Sequence, residues 1–161
     1  MNNKKIKPIL GLVEEVKIYL PNGKFIRRQA KIDTGARTTA IDVSIAKKIG
    51  LLSVYEEFNK EMPKLKITTK NFKEIKKKIR TVLAPKLKKQ IPGLYDIRVI
   101  PATNGITVRP FVKLEYKMRN KKIETIASIV DRKMLLYPIL IGKRDMEGFL
   151  IDPTKNIYRT A

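Results

Sequence analysis

The segment AKIDTGARTTAID, residues 30–42, decides how the rest of the chain is read. Residues 9–20 are rich in Ile, Leu and Val and stop at Pro21-Asn22-Gly23, a tight-turn signal. Residues 24–32 then return as a second strand, so Asp33 stands where a strand runs out into a loop. The tripeptide Asp33-Thr34-Gly35 alone leaves two readings: a catalytic aspartate on a tight loop, or an ordinary turn that favours these residues for backbone reasons. Beyond it, residues 38–42 predict a short strand and residues 43–49 a short helix. Asp42 or Ser44 caps that helix and Gly50 follows its end.

At 161 residues, with 43% apolar and 32% charged residues, the chain reads as one globular domain, 1–161, with a real core. It contains no cysteine and no histidine. Disulfides, a cysteine nucleophile, a Ser-His-Asp triad and a histidine base are therefore excluded, and no metal or cofactor is expected. The apolar run near the start is broken by Glu14, Glu15 and Lys17, so neither a signal peptide nor a membrane span is expected and the cytoplasm is the default location. The net charge of +21 has two readings: an anionic partner, or a lysine-rich solvated surface.

Residues 51–94 differ from the rest. Phe72, Ile75, Ile79, Val82 and Leu83 recur at helical spacing, which predicts an amphipathic helix over about 71–84 stopped by Pro85. From Lys60 to Gln90 there are twelve Lys or Arg against two Glu, a net +10. From Tyr95 the pattern is β again: a strand to Ile100, Thr107–Met118, a turn at 119–121, Lys122–Val130, and a last strand around 149–152. The plan is mainly β with one basic helical insert and no repeat.

A second feature lies about a hundred residues after Asp33. Ile139-Leu140-Ile141-Gly142 is followed by a short polar helical turn. Paired with an apolar-Asp-Thr-Gly-Ala loop, it resembles the active-site crossing of pepsin-like and retroviral aspartic proteases, where the glycine admits a close backbone approach. AKIDTGARTTAID, VRPFV, ASIVDRKMLLYPILIGKRDM and FLIDP occur in that order. Together they resemble the cellular retropepsin-like family known as ATP-dependent zinc proteases, whose members are often encoded beside ATP-grasp ligases that add glutamate to ribosomal proteins. The resemblance covers about residues 8–50 and 95–153 and leaves the insert, 51–94, unassigned.

That resemblance implies a retropepsin-like acid-protease barrel with a short helix near the C-terminus. It implies an aspartic endopeptidase working as a homodimer, with Asp33 from each subunit activating one water. Thr34, Gly35, Ala36, Ile141 and Gly142 would support the active-site loop: Thr34 locks the two loops together, and the Gly35 amide holds the Asp33 carboxylate. Many family members carry histidine where this chain has Asp42. With no His and no Cys, the zinc of the family name is not expected to be the mechanism. The sequence carries no nucleotide-binding loop, so any ATP requirement would come from a partner.

Further residues stand as expectations. Arg37 and Asp145 are read as an ion pair buttressing the loop, or as two separately solvated charges. Asn104, Gly105 and Ile106 form the tip of a hairpin that suits a flap over substrate, or is an ordinary long hairpin. Asp131 and Arg132 are given structural roles. The basic helix either packs an apolar face on the barrel and needs no function, or binds acidic protein substrates, or binds nucleic acid. For the last it has charge but a single aromatic, Phe72. The alternative to the peptidase is therefore a non-catalytic module of the same fold that binds acidic tails or nucleic acid through residues 60–90.

Overall fold

The computed structural model describes residues 6–155. The basic opening, 1–5, and the last six residues of the expected 1–161 domain lie outside the described residues. Strand β1 (Ile9–Leu10) is followed by β2 (Val13–Tyr19) and β3 (Phe25–Ile32). The latter two form an antiparallel hairpin, Val13↔Lys31 through Tyr19↔Phe25, across a turn in which Gly23 takes φ +78°. Alternation decides the faces. Val16 and Ile18 point into the core, while Glu15 on the other face pairs with Arg27.

The run read as one strand, 9–20, is in fact two. The chain breaks at Gly11-Leu12, and β1 leaves the barrel to pair in parallel with β9 (Leu150–Ile151). Glu14 sets this break. Its buried carboxylate accepts the Gly11 N–H at 2.7 Å and Arg119 Nη2 at 2.8 Å.

Strand β4 (Thr39–Asp42) leads directly into helix α1 (Val43–Lys48), capped by Asp42 as expected. Strands β5 (Asp96–Ala102), β6 (Gly105–Met118), β7 (Lys121–Val130) and β8 (Ile139–Ile141) complete the sheet. Its order is β2-β3-β8-β4-β7-β6, and β6 pairs back to β2 through Val16↔Met118 and Ile18↔Tyr116. Six strands therefore close into a barrel, with β5 added as the outer arm of the β5–β6 hairpin. Closure leaves fewer open sheet edges and buries Ile18, Ile41, Tyr116, Ile129, Ile139 and Ile141 in one core.

The insert is more helical than the spacing predicts. Helix α2 (Leu52–Glu61), not anticipated, buries Val54 and Phe58. Helix α3 (Phe72–Lys78) runs through one wide π turn, Ile79–Leu83, into α4 (Ala84–Gln90). Pro85 does not end the helix. A proline in a regular α-helix clashes with the carbonyl one turn back and cannot donate to it. The π turn immediately before Pro85 widens that spacing, as π bulges do, and the helix continues. Ile79, Ala84 and Leu87 are buried against the barrel. At about 1.5–3 kcal/mol for a fully buried Ile or Leu, the arm is docked and not merely tethered.

Candidate active site

The Asp33 loop is held by the way β8 is threaded. Strand β8 lies between β3 and β4, parallel to the first (Ile32↔Ile141) and antiparallel to the second (Ala40↔Leu140). The two strands that flank the loop are therefore bridged by one strand whose end passes beneath it. The Asp33 N–H donates to Ile141 O at 3.0 Å. Past Gly142, the Lys143 and Arg144 amides donate to Ala36 O at 2.8 Å and Arg37 O at 3.1 Å. A β-carbon on Gly142 would lie 2.4 Å from the Thr38 carbonyl carbon and 2.6 Å from both Thr38 N and O. Only glycine fits where the two backbones cross.

Within the loop, the Gly35 N–H donates to Asp33 Oδ1 at 2.9 Å and the Ala36 N–H to Asp33 O at 3.2 Å. The first bond orients the carboxylate. Asp33 is half-buried, and Thr34 and Gly35 are exposed at the loop tip. Asp33 does not line either of two concavities of about 1380 and 380 Å³.

Asp145 does not pair with Arg37. The turn Lys143–Met146 carries Asp145 inward, where it is 6% exposed. There it accepts hydrogen bonds from Thr39 Oγ1 at 2.5 Å, Tyr116 OH at 2.8 Å and Thr125 Oγ1 at 2.7 Å. Arg37 is exposed and meets this turn only through its backbone carbonyl. Buried carboxylates need several donors, and three hydroxyls meet that need without a second charge. Burial, and next the Asp145 charge, push the Tyr116 phenol far above its ordinary value, so it remains a donor. Thr39 Oγ1 also accepts the Gly142 N–H at 3.2 Å. The chain Gly142–Thr39–Asp145 thus locks the crossing from inside. The sequence reading missed Thr39, Tyr116 and Thr125, which lie 106, 29 and 20 residues from Asp145.

Asp42, at the other end of β4, is committed to structure. It accepts from the amide and hydroxyl of Ser44 at 2.9 and 2.5 Å and from the Arg132 N–H at 2.6 Å. Burial works against its charged form, but the Ser44 hydroxyl and amide and the Arg132 amide outweigh it and hold the carboxyl below its usual range. Among the described residues no cluster of three His, Cys, Asp or Glu side chains is arranged to hold a metal ion.

Two arginines were not singled out for the site. Arg132, 8% exposed, donates from Nε to Tyr137 O at 3.1 Å. Burial pulls its guanidinium down, and the negative charges of Asp42 and Asp33 pull it back up. Arg109 on β6, half-buried, is pulled down by burial and by the Arg132 charge. The two guanidinium groups therefore lie within electrostatic reach of one another, and Arg132 also within reach of Asp33. Among the described residues neither forms an ion pair at 4.0 Å or less. Only the VRP and DR motifs mark them in the sequence.

The β5–β6 hairpin turns at Thr103-Asn104, with Gly105 at φ +115°. Asn104 and Gly105 are exposed, and Ile106 is half-buried. Ile106 and Val108 share a groove with Phe58, Met62, Leu65 and Ile67, so the insert braces this hairpin beside its tip.

No protein-family model and no curated protein matches the chain. Among solved structures it is similar to a Legionella pneumophila protein of unknown function (DUF785). The two are 19% identical, the match covers 91% of this chain and 93% of that one, and the TM-score is 0.45. Among the described residues no helix is long and apolar enough to cross a membrane.

Proposed function

We propose that the chain is a retropepsin-like aspartic endopeptidase that works as a homodimer. The observation that carries this reading is the Asp33 carboxylate, oriented by the Gly35 amide on a loop locked over Gly142. Such a loop supplies one carboxylate, and hydrolysis by this route needs two. The exposed tip at Thr34-Gly35, beside the half-buried Asp33, suits a second copy across a two-fold axis. Two carboxylates held that close cannot both be ionised, so the pair shares one proton.

In the first step the ionised carboxylate takes a proton from water as the water oxygen bonds to the scissile carbonyl carbon. The protonated partner carboxyl gives its proton to the carbonyl oxygen. Collapse of the resulting gem-diol breaks the C–N bond, and the amine nitrogen leaves with a proton from the dyad. The positive charge of Arg132, felt at Asp33, favours a substrate that brings acidic groups toward this site. The hairpin tip at Asn104-Gly105-Ile106 would close over it.

The test is cleavage of a mixed peptide library, including glutamate-tailed members, from acid to neutral pH, read by mass spectrometry. Cuts made by wild type and absent with Asp33→Asn support the reading. No cuts at any pH from a folded dimer would sink it in favour of a non-catalytic module of the same fold. Sedimentation equilibrium supplies the oligomeric state.

A further inference from the structure

The insert is the largest feature that the peptidase reading leaves without a task. All twelve cations between Lys60 and Lys89 are exposed. Among the described residues none of them forms an ion pair; the pairs that exist, such as Arg27–Glu15 and Lys122–Glu115, lie outside the insert. Lys73, Lys76, Lys77 and Arg80 follow the i, i+3, i+4, i+7 rule and share one face of the helix. Glu74 falls off that face. The apolar side of the same helix, Phe72, Ile75 and Ile79, faces the protein, so the basic side is held outward on a docked support. Like charges four residues apart repel by a few tenths of a kcal/mol each, a cost that a polyanion removes.

We propose that this face docks the phosphodiester backbone of a double-stranded nucleic acid. Eleven of the twelve cations are lysines, point charges that pair with a row of phosphates without a fixed fork geometry. The helical run Phe72–Gln90 offers no strand edge for an acidic peptide to pair with. At ~1.5 Å per residue this run is about 28 Å long, and a duplex carries about 16 phosphates over that length. Its one aromatic, Phe72, is half-buried against the protein, so it offers no open face for base stacking. The backbone is therefore what is held, without regard to base sequence. This stands whether or not Asp33 cleaves peptides.

The experiment is fluorescence anisotropy with labelled duplex RNA and duplex DNA of the same sequence, titrated at about 50–200 mM salt. Wild type should bind, with affinity falling steeply as salt rises. The variant Lys73→Gln/Lys76→Gln/Lys77→Gln/Arg80→Gln should flatten the slope of log K against log salt by about 3–4 units, at ~0.9 for each phosphate that is no longer neutralised. A variant with equal charge removed elsewhere, Lys24→Gln/Lys31→Gln/Lys47→Gln/Lys48→Gln, should change the slope by less than about 1 unit. Far-UV circular dichroism checks that both variants fold. Preference for RNA or for DNA identifies the source of the phosphates. Equal slopes for the two variants, no binding of either duplex at the lowest salt, or displacement of the duplex by polyglutamate at lower charge concentration would each overturn the proposal.

Discussion

Gly142→Ala puts the threading of β8 under the Asp33 loop to a direct test. The added methyl would lie 2.4 Å from the Thr38 carbonyl carbon and 2.6 Å from Thr38 N and O. Ordinary carbon contacts sit at about 3.5–4.0 Å, so one backbone must retreat by about 1 Å. Retreat is costly here because the Lys143→Ala36 and Arg144→Arg37 backbone bonds, at 2.8 and 3.1 Å, tie the crossing segments together. Overpacking costs about 1–3 kcal/mol where side chains can yield, and backbone yields less. We expect a loss of about 3 kcal/mol or more. With an m-value of about 2 kcal/mol/M, the urea midpoint should fall by about 1.5 M. The contrast is Gly35→Ala, whose methyl would lie 3.2 Å from Asp33 Oδ1, the end of a side chain that can turn aside. That variant should lose less than about 1 kcal/mol but disturb the carboxylate, since a misplacement of about 1 Å can cost 10²-fold in rate. A Gly142→Ala midpoint within about 0.3 M of wild type would refute the reasoning.

Other expectations follow from the same contacts. Tyr116→Phe removes one hydroxyl from the buried Asp145 and should cost about 1.5–3 kcal/mol in urea melts, whereas Arg37→Glu should change stability by less than about 0.5 kcal/mol. Asp42 has a folded-state pKa below its ordinary value, so it adds stability above the ordinary carboxylate range that is lost as the pH falls through the folded value. Melts from about pH 6 down to 2 should show that acid-side loss in wild type, and a flatter profile in Asp42→Asn. Leu65→Ala with Ile67→Ala should speed amide hydrogen exchange in residues 100–108 and leave α1 protected, because Leu65 and Ile67 share a groove with Ile106 and Val108 and not with α1.

Much of the barrel and the loop could be read from local pattern. The Ile-, Leu- and Val-rich run marked β2, the turn at 119–121 separated β6 from β7, Asn22-Gly23 marked the first hairpin, and Asp42 with Gly50 marked both ends of α1. These signals act over a few residues, where backbone sterics and side-chain caps dominate. The same local logic erred where tertiary packing or geometry intervened. Pro85 marks a helix end until a π turn widens the step before it, and the helix over 52–61 begins at Leu51, which has no side-chain cap. Arg37 and Asp145 are opposite charges close to the same loop, so the sequence invites a pair. The fold instead turns one outward and buries the other under three hydroxyls.

The sequence alone determined that Asp33 ends a strand, that a glycine follows an apolar run a hundred residues later, and that cysteine and histidine chemistry is excluded. These are statements about residue type and short-range order, and residue type needs no coordinates. Only the tertiary structure decided that Gly142 passes against Thr38, that Thr39 joins that crossing to Asp145, and that Arg132 comes within reach of both Asp33 and Arg109. Barrel closure brings those residues together from separations of 23 to 106 positions, and no local preference encodes a distance that chain closure sets.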